Sequence, residues 1–201
     1  DFPISTTNAE ISIKLNALDS LENIDRINVW VNDVPVVGTN GYSVNDKKQK
    51  NITKDFPVNL STGRNKIQVS CTNEKGFESL KETFSIVYDV KNKKPDLYLI
   101  TIGVSEYKNP TFNLEYADKD AQDVVTLFSK GKNKVFDKIH TVEVLNKEAT
   151  VGNILKLKKQ LESTSVDDVV ILFFAGHGVL DSELNYYLAT TEIDMDNIAN
   201  T

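Results

Sequence analysis

The chain has 201 residues, 40% of them hydrophobic and 26% charged, with nine Gly, five Pro and one Cys. That composition excludes a disordered chain, a collagen-like chain and a disulfide scaffold, and no apolar run approaches the ~18 residues of a membrane span. The net charge of −6 is uneven: residues 1–95 carry 13 Lys/Arg against 12 Asp/Glu and residues 96–201 carry 10 against 17, so the second half suits a basic partner and disfavours nucleic acid.

Residues 8–90 read as all-β. Residues 10–15 alternate, and Ile27, Val29 and Val31 share one face of a second strand. Asn32-Asp33 is a turn signal from which residues 34–37 return as the other arm of a hairpin. Residues 56–60, 65–71 and 83–88 follow, separated by Ser61-Thr62-Gly63 and Asn73-Glu74-Lys75-Gly76. Ile67, Val69 and Cys71 fall on one face of the 65–71 strand, so the lone cysteine reads as a small buried hydrophobe. With no second thiol and no Cys-x-x-Cys, disulfide and zinc readings fall away, and a cytoplasmic compartment is favoured. Short strands punctuated by Gly/Asn turns predict a two-sheet sandwich. The run VNLSTGRNKIQVSCTNEKGFES, followed by TFSIVYDV, resembles bacterial immunoglobulin-like domains. For residues 1–92 that resemblance implies a spacer or docking module without chemistry of its own.

Lys91-Asn92-Lys93-Lys94-Pro95 is the expected joint, polar and ending in a proline that disfavours helix before it. Beyond it the period changes. Residues 97–104 (LYLITIGV) form a continuous apolar run, as expected of a central parallel strand. The spacing predicts a helix over 116–130 with Ala117, Ala121, Val124, Val125 and Phe128 on one stripe, then a strand over 138–145. Thr150 offers an N-cap for a helix from 151 to about 162, buried through Val151, Ile154, Leu155 and Leu161. Residues 169–174 make another apolar strand, and 186–190 a shorter one. Residues 93–201 therefore predict an α/β domain around a mostly parallel sheet, whose sites belong at the carboxyl ends of the strands.

The first of those ends, Gly103-Val104-Ser105-Glu106-Tyr107, is no nucleophile elbow, because Tyr107 stands where a second glycine is needed. Neither GxxxxGK[ST] nor GxGxxG is present, so a nucleotide-binding reading lacks its phosphate cradle. The 169–174 strand ends in Ala175-Gly176-His177-Gly178, where two glycines let the chain turn sharply and leave an imidazole able to take a proton at the sheet rim. The same histidine could instead simply bond its own loop. His140, on an alternating strand, reads as a satisfied strand residue.

LYLITIGVSEYKN, LEYADKDAQDVVTLF, DDVVILFFAGHG and NYYLATTEID together resemble the caspase-like cysteine proteases (clan CD, peptidase C14) over residues 96–194, most nearly their bacterial, metacaspase-like branch. The resemblance implies a three-layer caspase-like domain with His177 as general base of a Cys-His dyad and the Gly178 N–H helping to hold the oxyanion. Asp118 and Asp120 match the acidic helix start of that family, and an aspartate equivalent to Asp120 lines its pocket for a basic P1 side chain. No arginine occurs in residues 96–201 to read an aspartate at P1, so Arg/Lys specificity is expected.

One element of the pattern is missing. The family nucleophile lies on the next strand, about 50 residues after the histidine, yet the sequence ends at Thr201, 24 residues past His177, and Cys71 belongs to the other half. The chain alone is therefore expected to be inactive, Asp1 and Thr201 to be processing or other boundaries, and a C-terminal fragment to supply the cysteine. A catalytically inactive interaction module is the alternative. The expected substrate is a protein or peptide, with no nucleic acid, no membrane and no required cofactor. Some metacaspase-like members use calcium, and Asp181, Glu183, Asp194 and Asp196 supply hard oxygens, but without EF-hand spacing they read rather as solvated surface acids.

Overall fold

In the computed structural model, which describes residues 4–91, 94–130 and 135–198, the regular structure of the first half is strand apart from one 3-10 turn at Asn45–Lys47. Its elements are β1 (Ser5–Thr6), β2 (Glu10–Leu18), β3 (Ile24–Val31), β4 (Val34–Pro35), β5 (Tyr42–Ser43), β6 (Asn51–Asn59), β7 (Gly63–Asn73) and β8 (Glu82–Tyr88). Period-2 alternation gives each of the longer strands β2, β3, β6, β7 and β8 one apolar face. On the antiparallel pair β2–β6, Ile11, Ile13 and Leu15 meet a second sheet of order β1-β8-β7-β3-β4, in which β5 also pairs with β3. Between them lies one core that includes Ile13, Ile27, Val29, Phe56, Ile67 and Ile86. The Asn32-Asp33 turn has both residues at positive φ (53° and 69°), the conformation whose twist suits a two-residue hairpin. Cys71 is half-buried against this core and is not fully enclosed as expected. Asn92 and Lys93 of the expected joint, with Asp1 and Thr201, lie outside the described residues, and the chain divides into two units, Asp1–Lys93 and Lys94–Thr201.

Asp19 ties the first unit's loops together. Its carboxylate accepts the Leu21 and Glu22 N–H groups (2.8 and 2.9 Å) and the Asn73 side-chain amide (2.9 Å). Those bonds, with the Glu22 N–H foremost, lower its pKa from 3.8 to about 2. A depressed carboxylate contributes stability that is complete above its ordinary value and lost as pH falls through the folded one. Asp19→Ala should therefore lower the unfolding midpoint at pH 6, with the gap to the parent closing as pH approaches 2. Urea melts at stepped pH check this, and a pH-independent gap would contradict it.

The second unit opens on β9 (Leu97–Gly103), followed by α1 (Ala117–Lys130), β10 (Ile139–Leu145), α2 (Val151–Lys156), α3 (Lys158–Leu161), β11 (Val169–Ala175), β12 (Gly178–Leu180) and β13 (Tyr186–Leu188). The sheet order is β10-β9-β11, all parallel, with Leu99 level with Thr141 and Ile171. β9, paired on both sides, is buried along nearly its whole length. α1 packs across the sheet on the Gly103 side, bringing Ala117 and Ala121 against β9. On the other face Ile100, Ile102 and Val144 share a core with Ala149, Ile154, Leu157, Phe174, Ala189 and Ile193. Among the described residues no helix is long and apolar enough to cross a membrane.

The expectation of one helix after Thr150 changes here. The single helix over 151–162 is two short ones, because Leu157 and Gln160 each donate to the carbonyl three residues back (both 3.0 Å) and tighten the turn. Its phase shifts accordingly: Ile154 and Leu157 turn inward, while Leu155 is 70% exposed and Leu161 faces out. Thr150 does cap α2, its hydroxyl accepting from the Asn153 N–H at 3.2 Å. β11 is as apolar as β9 but stands at an edge of the three-stranded sheet, leaving Val169 and Val170 exposed and Leu172 62% exposed. His140 is satisfied across to the neighbouring β9 segment, its Nε2 2.9 Å from Asp96 Oδ2 and its ring stacked on Tyr98.

Candidate active site

The carboxyl end of β9 is held to the start of α1 by close approach. A side chain on Gly103 would put its Cβ 2.6 Å from the Ala117 carbonyl oxygen and 2.7 Å from Asp118 Cα. At that junction Asp118 Oδ1 accepts from the Ser105 hydroxyl (2.7 Å), and Asp118 Oδ2 accepts from the Asn146 amide (3.1 Å). The Asp118 N–H returns a bond to Ser105 Oγ, and Asn146 Oδ1 accepts the Ser105 N–H. Asn146 reaches back this way because it sits just after β10 at φ 47°, a left-handed turn that asparagine tolerates. The Ser105 hydroxyl does most to hold the Asp118 carboxyl below its ordinary range, against the opposing effect of burial. Asp118 is thus engaged inside the fold, whereas Asp120, two residues on in the first turn of α1, is exposed.

His177 stands just beyond β11, half-buried. Its backbone N–H donates to the Tyr107 hydroxyl at 2.9 Å, and its Nε2 lies 2.9 Å from the Phe112 carbonyl oxygen. A carbonyl oxygen can only accept, so Nε2 carries a proton, and in the neutral imidazole Nδ1 is left with its lone pair. The Tyr107 and Phe112 rings pack against the imidazole at 5.3 and 6.3 Å between centroids. Burial pushes the Tyr107 phenol pKa up, with the bond from His177 opposing, so the phenol stays protonated at neutral pH.

Gly178 begins the antiparallel hairpin β12–β13, opposite Leu188. The Ala189 N–H donates to the His177 carbonyl and the Asp181 N–H to that of Asn185, which sets the alternation of the ladder. Gly178 then occupies a non-hydrogen-bonded position, and its N–H points away from β13. A Cβ on Gly178 would meet the tip of the Tyr186 phenol, so a side chain there would require that exposed ring to swing aside.

The remaining acids do not converge. Asp181 accepts the Glu183 and Asn185 N–H groups (2.9 Å each), the Asn185 amide and the Tyr187 hydroxyl, closing the β12–β13 loop. Asp194 Oδ1 accepts the Asp196 N–H at 3.0 Å. Among the described residues no group of three or more His, Cys, Asp or Glu side chains is placed to hold a metal ion, so Asp181, Glu183, Asp194 and Asp196 are not gathered into one such cluster. A cavity of about 440 Å³ does open beside Phe112, lined also by Lys108, Asn109, Glu192, Asp194, Met195 and Asp196.

Sequence reasoning missed Tyr107, Ser105, Asn146 and the Phe112 carbonyl. Ser105 and Tyr107 had only their place after β9, and Asn146 its place after β10, to mark them, and a backbone carbonyl leaves no mark in a sequence.

The caspase-domain family model matches residues 98–201. No curated protein matches the chain. Among solved structures, the fibronectin(III)-like modules of Clostridium thermocellum CbhA share 15% identity at a TM-score of 0.32, over 42% of this chain and 83% of that one. Sialyltransferase from Photobacterium damsela shares 12% identity at a TM-score of 0.23, over 85% of this chain but 34% of that one. Neither likeness is close enough to carry an argument about fold or chemistry. The family match spans just over half of the sequence and all of the site described above, and on it the chain belongs to the caspase-domain family, peptidase C14.

Proposed function

We propose that this chain supplies the general base of a caspase-like cysteine endopeptidase of the metacaspase-like branch. The observation that carries the reading is His177 at the rim of the parallel sheet, its Nε2–H held by the Phe112 carbonyl and its Nδ1 left to accept a proton. Nδ1 would deprotonate a cysteine thiol, and the thiolate would attack the scissile carbonyl. The Gly178 N–H, turned away from its hairpin partner, would donate to the oxyanion. The imidazolium would then protonate the leaving amine, and water would hydrolyse the acyl-enzyme with His177 again as base.

The cysteine would come from a segment after residue 201, as a separate processed chain or as continuing sequence. The exposed apolar edge of β11 supports that view, since a strand with Val170 and Leu172 open to solvent is covered when a further strand pairs with it. The β-sandwich, immunoglobulin-like in its strand pattern, would serve as a spacer or docking module. The whole protein would work in the cytoplasm on protein or peptide substrates.

Basic P1 specificity is supported by the exposed Asp120 and by Glu192, Asp194 and Asp196 around the cavity beside Phe112. Asp118, already bonded to Ser105 and Asn146, would keep the acidic helix start in place beneath Asp120. With the cysteine segment co-produced, peptides with Arg or Lys at P1 should be cleaved and those with Asp should not. Asp120→Asn should lower kcat/KM for Arg-P1 peptides by about 10- to 100-fold, the range for losing a charged hydrogen-bond partner. Equal cleavage of Asp-P1 peptides, or an Asp120→Asn enzyme as active as its parent, would remove the specificity assignment.

A further inference from the structure

We propose that Tyr107 and Asn113 are positioning residues that clamp His177 through the loop 105–114. The proposal rests on the reading of His177 as a base and adds what keeps its Nδ1 facing one way.

The loop closes on itself. The Tyr107 N–H donates to Asn113 Oδ1 (2.8 Å), and the Leu114 N–H donates to the Ser105 carbonyl (2.8 Å). Asn109 caps the turn Pro110–Phe112 by accepting from the Thr111 N–H and hydroxyl. The Phe112 carbonyl therefore cannot move independently of Tyr107. That one loop grips His177 at two points: the Tyr107 hydroxyl takes the backbone N–H, and the Phe112 carbonyl takes Nε2. The first bond fixes the frame from which the side chain leaves, and the second fixes the rotation of the ring. Asn113 couples the two by tying the Tyr107 backbone to the residue after Phe112. Tyr107 is only 5% exposed, and a Cβ on Gly176 would come within 3.1 Å of its hydroxyl, so the glycine before His177 leaves room for the clamp.

A base that must take a proton from a thiol and return it to an amine gains from being held, because misorientation of the acceptor lowers the rate without affecting substrate binding. Removing the Tyr107 hydroxyl or the Asn113 amide should therefore loosen the imidazole while leaving the fold intact.

The chain has only two histidines, so a sample with 15N-labelled histidine gives two imidazole patterns, which His140→Gln assigns. The parent is expected to show a His177 Nε2 proton protected from solvent exchange. Tyr107→Phe and Asn113→Ala should each speed that exchange by about tenfold, the factor for one ordinary hydrogen bond. Tyr107→Phe should also expose the His177 amide, and Asn113→Asp, which keeps an acceptor for the Tyr107 N–H, should restore protection. In the complete protease the two disruptive substitutions should lower kcat about tenfold with KM unchanged. Folded variants with unaltered Nε2 exchange would overturn the clamp, and if Tyr107→Phe does not fold, the Asn113→Ala and Asn113→Asp pair decides. The exchange is read without any nucleophile, so the two failures separate. Protected imidazole in a protein that never cleaves would overturn the base, while unaltered exchange beside cleavage that depends on His177 would overturn only the clamp.

Discussion

His177→Ala is expected to lower kcat for peptide hydrolysis by about 10²–10⁴-fold in the protease assembled with its cysteine segment, the range for losing a positioned general base. The substitution removes both the Nδ1 acceptor and the Nε2–H bond to Phe112. A thiol without a nearby base is mostly protonated at neutral pH, so alkylation of the cysteine should slow alongside peptide cleavage. KM should change little, because the imidazole does not hold substrate in the ground state. A thermal melt shows whether the variant remains folded. A folded His177→Ala protein that cleaves peptides as fast as its parent would remove the general base from this position.

Gly103→Ala is expected to destabilise the α/β unit by about 1–3 kcal/mol, the usual cost of forcing a group into packed surroundings. Each atom its Cβ would meet is hard to move: the Ala117 carbonyl at 2.6 Å, Asp118 Cα at 2.7 Å and Ala121 Cβ at 2.8 Å all lie close to the backbone of α1. The whole helix must retreat, and the Ser105–Asp118 bond spans the same junction. Gly152→Ala supplies the opposite sign. It lies in α2, and nothing stands within 4 Å of where its Cβ would go. There alanine restricts only the unfolded chain and should stabilise by about 0.4–1 kcal/mol. Denaturant melts of both variants test the pair, and equal effects would show that contact with α1 is not what requires glycine at 103.

The His177-Gly178 pair was legible because two glycines flanking a polar residue after an apolar strand is a local pattern, carried by neighbours in sequence. Asp118 was harder. Its partners Ser105 and Asn146 lie 13 and 28 residues away, and nothing along α1 distinguishes it from Asp120, which the fold leaves exposed. The break at Leu157 went unseen because the apolar spacing across it still fits a helical period, and only the bonds three residues back shift the phase. The hairpin β12–β13 was half seen, since three-residue strands are too short for alternation to register.

By itself the sequence determined the kind of most of the longer segments. Alternation every second residue makes half-buried strands before the joint, and unbroken apolar runs make parallel strands after it, because the period of burial is a property of the local backbone. It determined that an imidazole follows an apolar strand, and that the chain's one cysteine, Cys71, lies before the joint. Position within the sheet belonged to the tertiary structure. β9 and β11 are both apolar runs, yet among the described residues only β9 has a neighbour on both sides, because pairing is settled by segments far apart in sequence. The same holds at the site. Whether an acid is exposed or engaged, and which imidazole nitrogen is left to accept a proton, depends on groups such as Ser105, Asn146 and the Phe112 carbonyl that only the folded chain brings within 3 Å or so.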